Sequence, residues 1–291
     1  MPDKLLSLSN DIVFQELFGN PKNSKITAHL LSLILNRKIY NIDLDANKRM
    51  LGNRPNSKTG RLDIRAKFND GEDCNIELQV APCYFMPERM LDYWGTMHSL
   101  KISKGQDYDV LKPSISILIA NYKLEQLLHI DKYHTTWNLR EQDYHDTIIT
   151  KNIEMHILEI PKINNTLSLK DELAQWLKFI ENPGNKEVQK NMYKNMYWKQ
   201  AEEELAYLSG DPGFQRLVEA RAGFLMDQAT YKKQCRREGR AEGRTEGRAE
   251  GLKEGKKLKQ FEIAKKLKSK KFSIEEISEI TGLSKEDIEK L

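Results

Sequence analysis

The sequence predicts an α/β core followed by an all-α C-terminal region. Three observations carry that reading. Two alternating apolar–polar runs joined by a turn occupy residues 61–80, a strand–helix–strand pattern fills the first 160 residues, and helical periodicity dominates from Leu167 onward. At 291 residues the chain suits one large domain with appendages, or two domains. Its charged fraction of 31% exceeds the ~25% of an average globular domain, which implies much solvated helical surface.

The elements follow in order. Ser9-Asn10-Asp11 offers helix caps ahead of Phe14, Leu17 and Phe18, and Ile26, Leu30, Leu33 and Ile34 continue the helical spacing. The Gly19-Asn20-Pro21 break splits residues 9–36 into two helices. Ile39–Asp45 alternates weakly, as a short strand would, and the polar stretch 46–60 reads as a loop. RLDIRAKF (61–68) and CNIELQV (74–80) then alternate strictly, with Asn69-Asp70-Gly71 as a hairpin turn between them. Closing that turn pairs Phe68 with Glu72, Ile64 with Ile76 and Asp63 with Glu77. Residues 86–104 read as a helix ended by Gly105, SISILIA (114–120) as a buried strand, 121–133 as a helix and MHILEI (155–160) as a further strand.

Several classes fall away. The apolar runs LLSLIL (30–35) and ISILIA (115–120) are far short of the ~20 residues that span a bilayer. No secretion signal opens the chain, and Cys74, Cys83 and Cys235 form no CxxC pair, so a cytoplasmic protein without disulfides is expected. The histidines show no HxH or HExxH spacing, and neither a P-loop nor GxGxxG is present, which argues against a zinc site and a nucleotide-driven motor.

The hairpin carries the chemistry. Carboxylates directly across an antiparallel ladder repel. Two remedies are open: a divalent cation held between Asp63 and Glu77, or a solvent-facing pair offset by Arg61, Arg65 and Lys67.

The chain resembles the recombination-promoting nuclease/transposase family of the PD-(D/E)XK nuclease superfamily. The likeness rests on SNDIVFQELFG (9–19), RLDIRAKF with NIELQ (75–79), RMLDYWGTMHSLKISKGQDY (89–108), ISILIANY (115–122) and MHILEI, and covers about residues 7–165. It implies a restriction-endonuclease-like core, a mixed central sheet flanked by helices, and a Mg²⁺-dependent endonuclease acting on DNA, with Mn²⁺ as an alternative metal. By that resemblance Asp63 and Glu77 are metal ligands and catalytic acids, the Leu78 backbone carbonyl completes the metal site, and Asp11 is a water-mediated ligand. Gln79 stands where most superfamily members have lysine; it can orient water or phosphate but cannot transfer a proton. Arg89 and Tyr93 either touch the scissile phosphate or form a salt bridge and a buried hydroxyl.

On this reading residues 1–165 form the nuclease-like core, 166–235 a helical extension, 236–260 a basic Glu-Gly repeat helix or linker, and 261–291 a small helix-turn-helix-like unit. The repeat EGRA, EGRT, EGRA, EGLK, EGKK puts glycine at every fourth position, at a cost of about 1 kcal/mol each in a helix. Residues 232–271 hold 16 Lys+Arg against 6 Asp+Glu, a net +10, whereas the remainder holds 31 against 37, a net −6. The overall +4 therefore conceals a strongly basic segment, in which Arg236, Arg237, Arg240, Arg244 and Arg248 are DNA-binding candidates. Two other functions compete with DNA cleavage: a nuclease fold that binds DNA without cutting, and self-association through the C-terminal helices.

Overall fold

A computed structural model of the chain describes residues 5–44, 64–164, 170–192 and 195–291. The expected loop 46–60 and the start of the first hairpin strand, Arg61, Leu62 and Asp63, lie outside the described residues. Contacts divide the chain into Met1–Ala222 and Gly223–Leu291.

In the first unit, Asn10 caps α1 (Asp11–Gly19) by accepting a hydrogen bond from the Ile12 amide at 3.0 Å. Asn20 and Pro21 break the chain before α2 (Ser24–Leu35), as the sequence predicts. The strands are β1 (Ile42–Leu44), β2 (Ile64–Phe68), β3 (Asp73–Gln79), β4 (Ser114–Ala120), β5 (His134–Trp137) and β6 (Ile153–Glu159). They form a mixed sheet in the order β1-β2-β3-β4-β6-β5 among the described residues. β2 and β3 are antiparallel, β3, β4 and β6 run parallel, and β5 returns antiparallel on the far edge.

The hairpin has the register read from its turn: Ile64 pairs with Ile76, and the Phe68 amide donates to the Glu72 carbonyl at 2.9 Å. Gly71 holds φ +88°, a left-handed conformation that costs a side-chain-bearing residue energy. That register gives each strand two unlike faces. Ile64, Ala66 and Phe68 of β2, Cys74, Ile76 and Leu78 of β3, and Ile115, Ile117 and Ile119 of β4 join one core with α1, α2, α4 (Glu172–Glu181) and α6 (Met196–Gly210). On the opposite face α3 (Met86–Ser99) sets Met86 and Met90 against Leu118, Ala120, Ile153, Met155 and Ile157. All seven residues of β4 are buried because both its faces are covered, which explains its unbroken apolar run.

Two expectations are corrected, and one strand went unread. Helix α3 ends at Ser99 rather than reaching residue 104: the Lys101 amide closes a tight turn onto the His98 carbonyl at 3.1 Å, and its ammonium reaches the carbonyls of Lys112 and Pro113. Residues 121–133 hold only a 3₁₀ turn at Glu125–Leu127, since the Leu124 amide bonds the buried Glu159 carboxylate instead of a helical carbonyl. β5, a short edge strand, was not expected from the sequence.

The chain continues through α5 (Lys186–Met192) into α7 (Pro212–Ser269), one helix of 58 residues that contains the whole Glu-Gly repeat. In the second unit Ala264 packs with Ile277, Leu283 and Ile288 of α8 (Ile274–Thr281), the segment after it and α9 (Lys285–Glu289). Ser273 and Glu276 form the expected capping box, Gly282 closes α8 at φ +70°, and Ser284 caps α9. No helix among the described residues is long and apolar enough to cross a membrane.

Gly71→Ala is expected to lower the unfolding free energy by about 1–2 kcal/mol, measured by urea denaturation, because its Cβ is strained at that φ and meets the Lys112 Cγ at 3.3 Å. A second test concerns the sheet edge, where His134 bonds His156 at 2.9 Å. Burial, reinforced by His156, lowers His134 from 6.5 to about 4. Below pH 6.5 the unfolded chain takes up a proton that the folded chain refuses, so this stabilisation is complete above 6.5 and lost as pH falls toward 4. Stability should therefore decline with acid across that window, and more gently in His134→Gln.

Candidate active site

The face of β3 beneath α3 is a row of buried polar side chains: Asp73, Asn75 and Glu77. The strand alternation places them there, since the other face needs Cys74, Ile76 and Leu78 for the core. Their β4 partners are Ser114, Ser116 and Leu118, and both serines are fully buried. Helix α3 is fixed over this row. The Trp94 indole donates to the carbonyls of Ser114 and Asn152, at 3.0 and 3.2 Å, and stacks on His98, whose Nδ1 lies 3.1 Å from the Ser114 hydroxyl.

Glu77 is 2% exposed, and its Oε1 lies 2.5 Å from Arg89 Nη2. One turn along α3, the Tyr93 hydroxyl accepts from Arg89 Nε at 2.7 Å, and the guanidinium lies 5.2 Å from the Tyr93 ring centre. Burial opposes the charge on Arg89, but Glu77 and the Tyr93 hydroxyl more than restore it, so its pKa ends above the ordinary value. Glu77, Arg89 and Tyr93 thus meet as one chain of charge and hydroxyl. At the end of β3, Gln79 is half-buried, and its carbonyl accepts from the Asn121 amide at 2.9 Å. Leu78 packs its side chain into the opposite core.

Asp11 is placed differently. It stands at the start of α1, and Arg221 of α7 donates to both its carboxylate oxygens, through Nε at 3.1 and 2.9 Å and through Nη2. That partner is 210 residues away and has no local signal in the sequence. Asp63 lies outside the described residues, and among the described residues no three His, Cys, Asp or Glu side chains converge as a metal site. The described donors at the end of β3, a buried carboxylate and a backbone carbonyl, are hard oxygens that suit Mg²⁺ or Mn²⁺. The candidate Arg236, Arg237, Arg240, Arg244 and Arg248 all lie exposed on α7.

A mixed sheet with a hairpin at one side, a helix laid over a polar strand face and an acidic residue near the strand end define an α/β fold of the nuclease type. The family model for PD-(D/E)XK nuclease family transposases matches residues 8–235, and the chain belongs to that family. It is thereby a nuclease-family protein of the kind linked to mobile elements. Neither a comparison with curated proteins nor one with solved structures gives a match.

The Glu77–Arg89 pair yields a stability test. Arg89→Met leaves a buried carboxylate without its cation and should cost about 2–3 kcal/mol, below the ~3–5 kcal/mol of a wholly buried pair because Arg89 is one-third exposed. The double variant Arg89→Met/Glu77→Gln should recover more than half of that loss in chemical denaturation.

Proposed function

We propose that the chain is a metal-dependent DNA endonuclease that hydrolyses phosphodiester bonds with low sequence specificity, in DNA recombination or the movement of mobile elements. The observation that carries this reading is Glu77, a carboxylate buried under α3 near the end of β3, in a chain whose residues 8–235 match a nuclease family. Asp63, Glu77 and the Leu78 carbonyl would hold the Mg²⁺ or Mn²⁺. When bound, such an ion polarises a phosphodiester and lowers the pKa of its water.

The chain's own groups have distinct tasks on this reading. Gln79 offers an amide that both donates and accepts, so it orients the attacking water or the phosphate without taking a proton. Arg89 presents a planar fork of donors matched to phosphate oxygens, and Tyr93 holds that fork in place through Nε. To present that fork to a phosphate, Arg89 would have to turn away from Glu77, which it pairs with in this structure. A water-mediated role for Asp11 requires release from Arg221, so its first task is to fasten α1 to α7.

The basic segment on α7 raises the local concentration of DNA. Arg236, Arg240, Arg244 and Arg248 recur every fourth residue, so the column they form winds by about 40° per repeat around the helix. The repeat glutamates form a separate column two residues away, about 160° around the helix from the arginines. That separation gives the helix a cationic side suited to phosphates.

One observation favours a second reading, in which the fold binds DNA without cutting it: Glu77 is already engaged by Arg89. Supercoiled plasmid incubated with Mg²⁺ or Mn²⁺ separates the two. The endonuclease reading expects nicking by the wild type and its loss in Asp63→Ala and Glu77→Ala. Equal nicking by wild type and variants, or none with any divalent metal, overturns it; salt-sensitive DNA binding that persists in Glu77→Ala without cleavage establishes the second reading.

A further inference from the structure

We propose that the cavity at the turn end of the β2–β3 hairpin is a subsite for a backbone phosphate of the DNA substrate, close along the same strand to the phosphate facing Glu77. The proposal builds on the DNA-cleavage reading. The cavity has a volume of about 400 Å³, and its lining includes Asp43, Arg65, Lys67, Asp73, Lys101 and Lys112. Four cations against two carboxylates leave it a net +2.

Asp73 forms the floor of the cavity and is spoken for. Its Oδ1 lies 3.3 Å from Arg65 Nη2 and its Oδ2 3.2 Å from Lys101 Nζ. Lys101 also donates to the carbonyls of Lys112 and Pro113, at 3.0 and 2.6 Å, which employs all three of its protons. Burial draws the Lys101 ammonium below its ordinary pKa, and Asp73 only partly offsets that. These groups build a rigid base, and the exposed Lys67 and Lys112 at the rim supply the charge that meets a ligand. Gly71 is part of the lining, and its missing side chain leaves room for Lys112, whose Cγ lies 3.3 Å from the position a Cβ would take.

Placement ties this cavity to the proposed active site. Lys67 pairs with Asp73 and Arg65 with Asn75, so these side chains share the face of the sheet that carries Glu77. Four residues of β3 separate Asp73 from Glu77, about 13 Å of strand. That span is comparable to the distance between nearby phosphates of one DNA strand. The face between them stays polar: Asn75 Oδ1 and Ser116 Oγ are buried there with no hydrogen-bond partner among the described residues. An open cavity whose contributing cations are exposed lysines suits a phosphodiester held as part of a longer chain. A free anion would be better served by buried donors, and here those are already committed to Asp73 and two carbonyls.

The test uses the full chain and labelled 20-mer DNA in EDTA, so that binding is read without cleavage. Lys67→Gln/Lys112→Gln is expected to weaken binding about tenfold at ~0.1 M salt and to flatten the slope of log affinity against log salt by about one to two. Lys67→Arg/Lys112→Arg should restore both, which a loss of folding in the glutamine variant could not explain. Unchanged affinity and slope in the glutamine variant overturn the proposal. Inorganic phosphate binding to the wild type, with DNA affinity unaffected by the glutamine variant, also overturns it and makes the cavity a free-anion site. If the wild type cuts no plasmid with any metal yet binding still depends on the two lysines, the subsite stands and the endonuclease reading fails.

Discussion

Carboxylates on a strand face covered by a helix must be matched by cations, because removing an ion from water costs several kcal/mol that only a close partner offsets. Most of the arrangement around β3 follows from this constraint. Asp73 and Glu77 lie near opposite ends of the strand, and α3 with the residues just beyond it brings a cation to each: Arg89 near the helix start for Glu77, Lys101 past its end for Asp73. Trp94 and His98 anchor the middle to β4. The helix is therefore held at three points by polar contacts, and Met86 and Met90 add the apolar contact beside them.

The other face of the sheet needs no such compensation. Phe14, Phe18, Trp176 and Phe179 bury their full volume there against β2, β3 and β4, and that apolar layer carries the folding energy. A division of labour results. One face can be optimised for packing, and the other can hold charges whose partners are exchangeable. Arg89 is the clearest case, since the guanidinium that makes Glu77 tolerable in the folded chain is, on the proposed reading, also a fork of donors for a phosphate.

Features written in local spacing were legible in the sequence. The turn Asn69-Asp70-Gly71 with strict alternation on both sides gave the hairpin register, the Gly19-Asn20-Pro21 break separated two helices, and Ser273 with Glu276 marked a capping box. The unbroken run of β4 was recognisable because a strand covered on both faces has no polar positions. Features decided by distant partners were not. The leucines at 124, 127 and 128 have helical spacing, but Glu159 claims the Leu124 amide. β5 is four residues long, lies on an edge and is half polar, so its pattern is too brief to register. At the candidate site, Glu77 and its neighbours were read correctly as one face of a strand. The attachment of Asp11 to Arg221 and the convergence of Lys67, Lys101 and Lys112 on one cavity depend on chain crossings that no spacing encodes.

The glycine repeat within α7 has a consequence for how that helix responds to its surroundings. Each repeat sets glutamate four residues from glutamate and arginine or lysine four residues from its like, the spacing at which equal charges on a helix repel. A Cβ placed on the glycines at 239, 243, 247, 251 or 255 would meet no atom outside the local helix backbone within 4 Å, so no close packing requires glycine there to offset its cost to the helix. The segment therefore has less helical stability of its own than an alanine-rich helix of the same length would have. Simple salt would firm it by screening the repulsion, and a polyanion would firm it by neutralising the cationic column. Added salt would thus make the segment more helical while screening its attraction for a polyanion, so order in this stretch would depend on its ionic environment as much as on its fold.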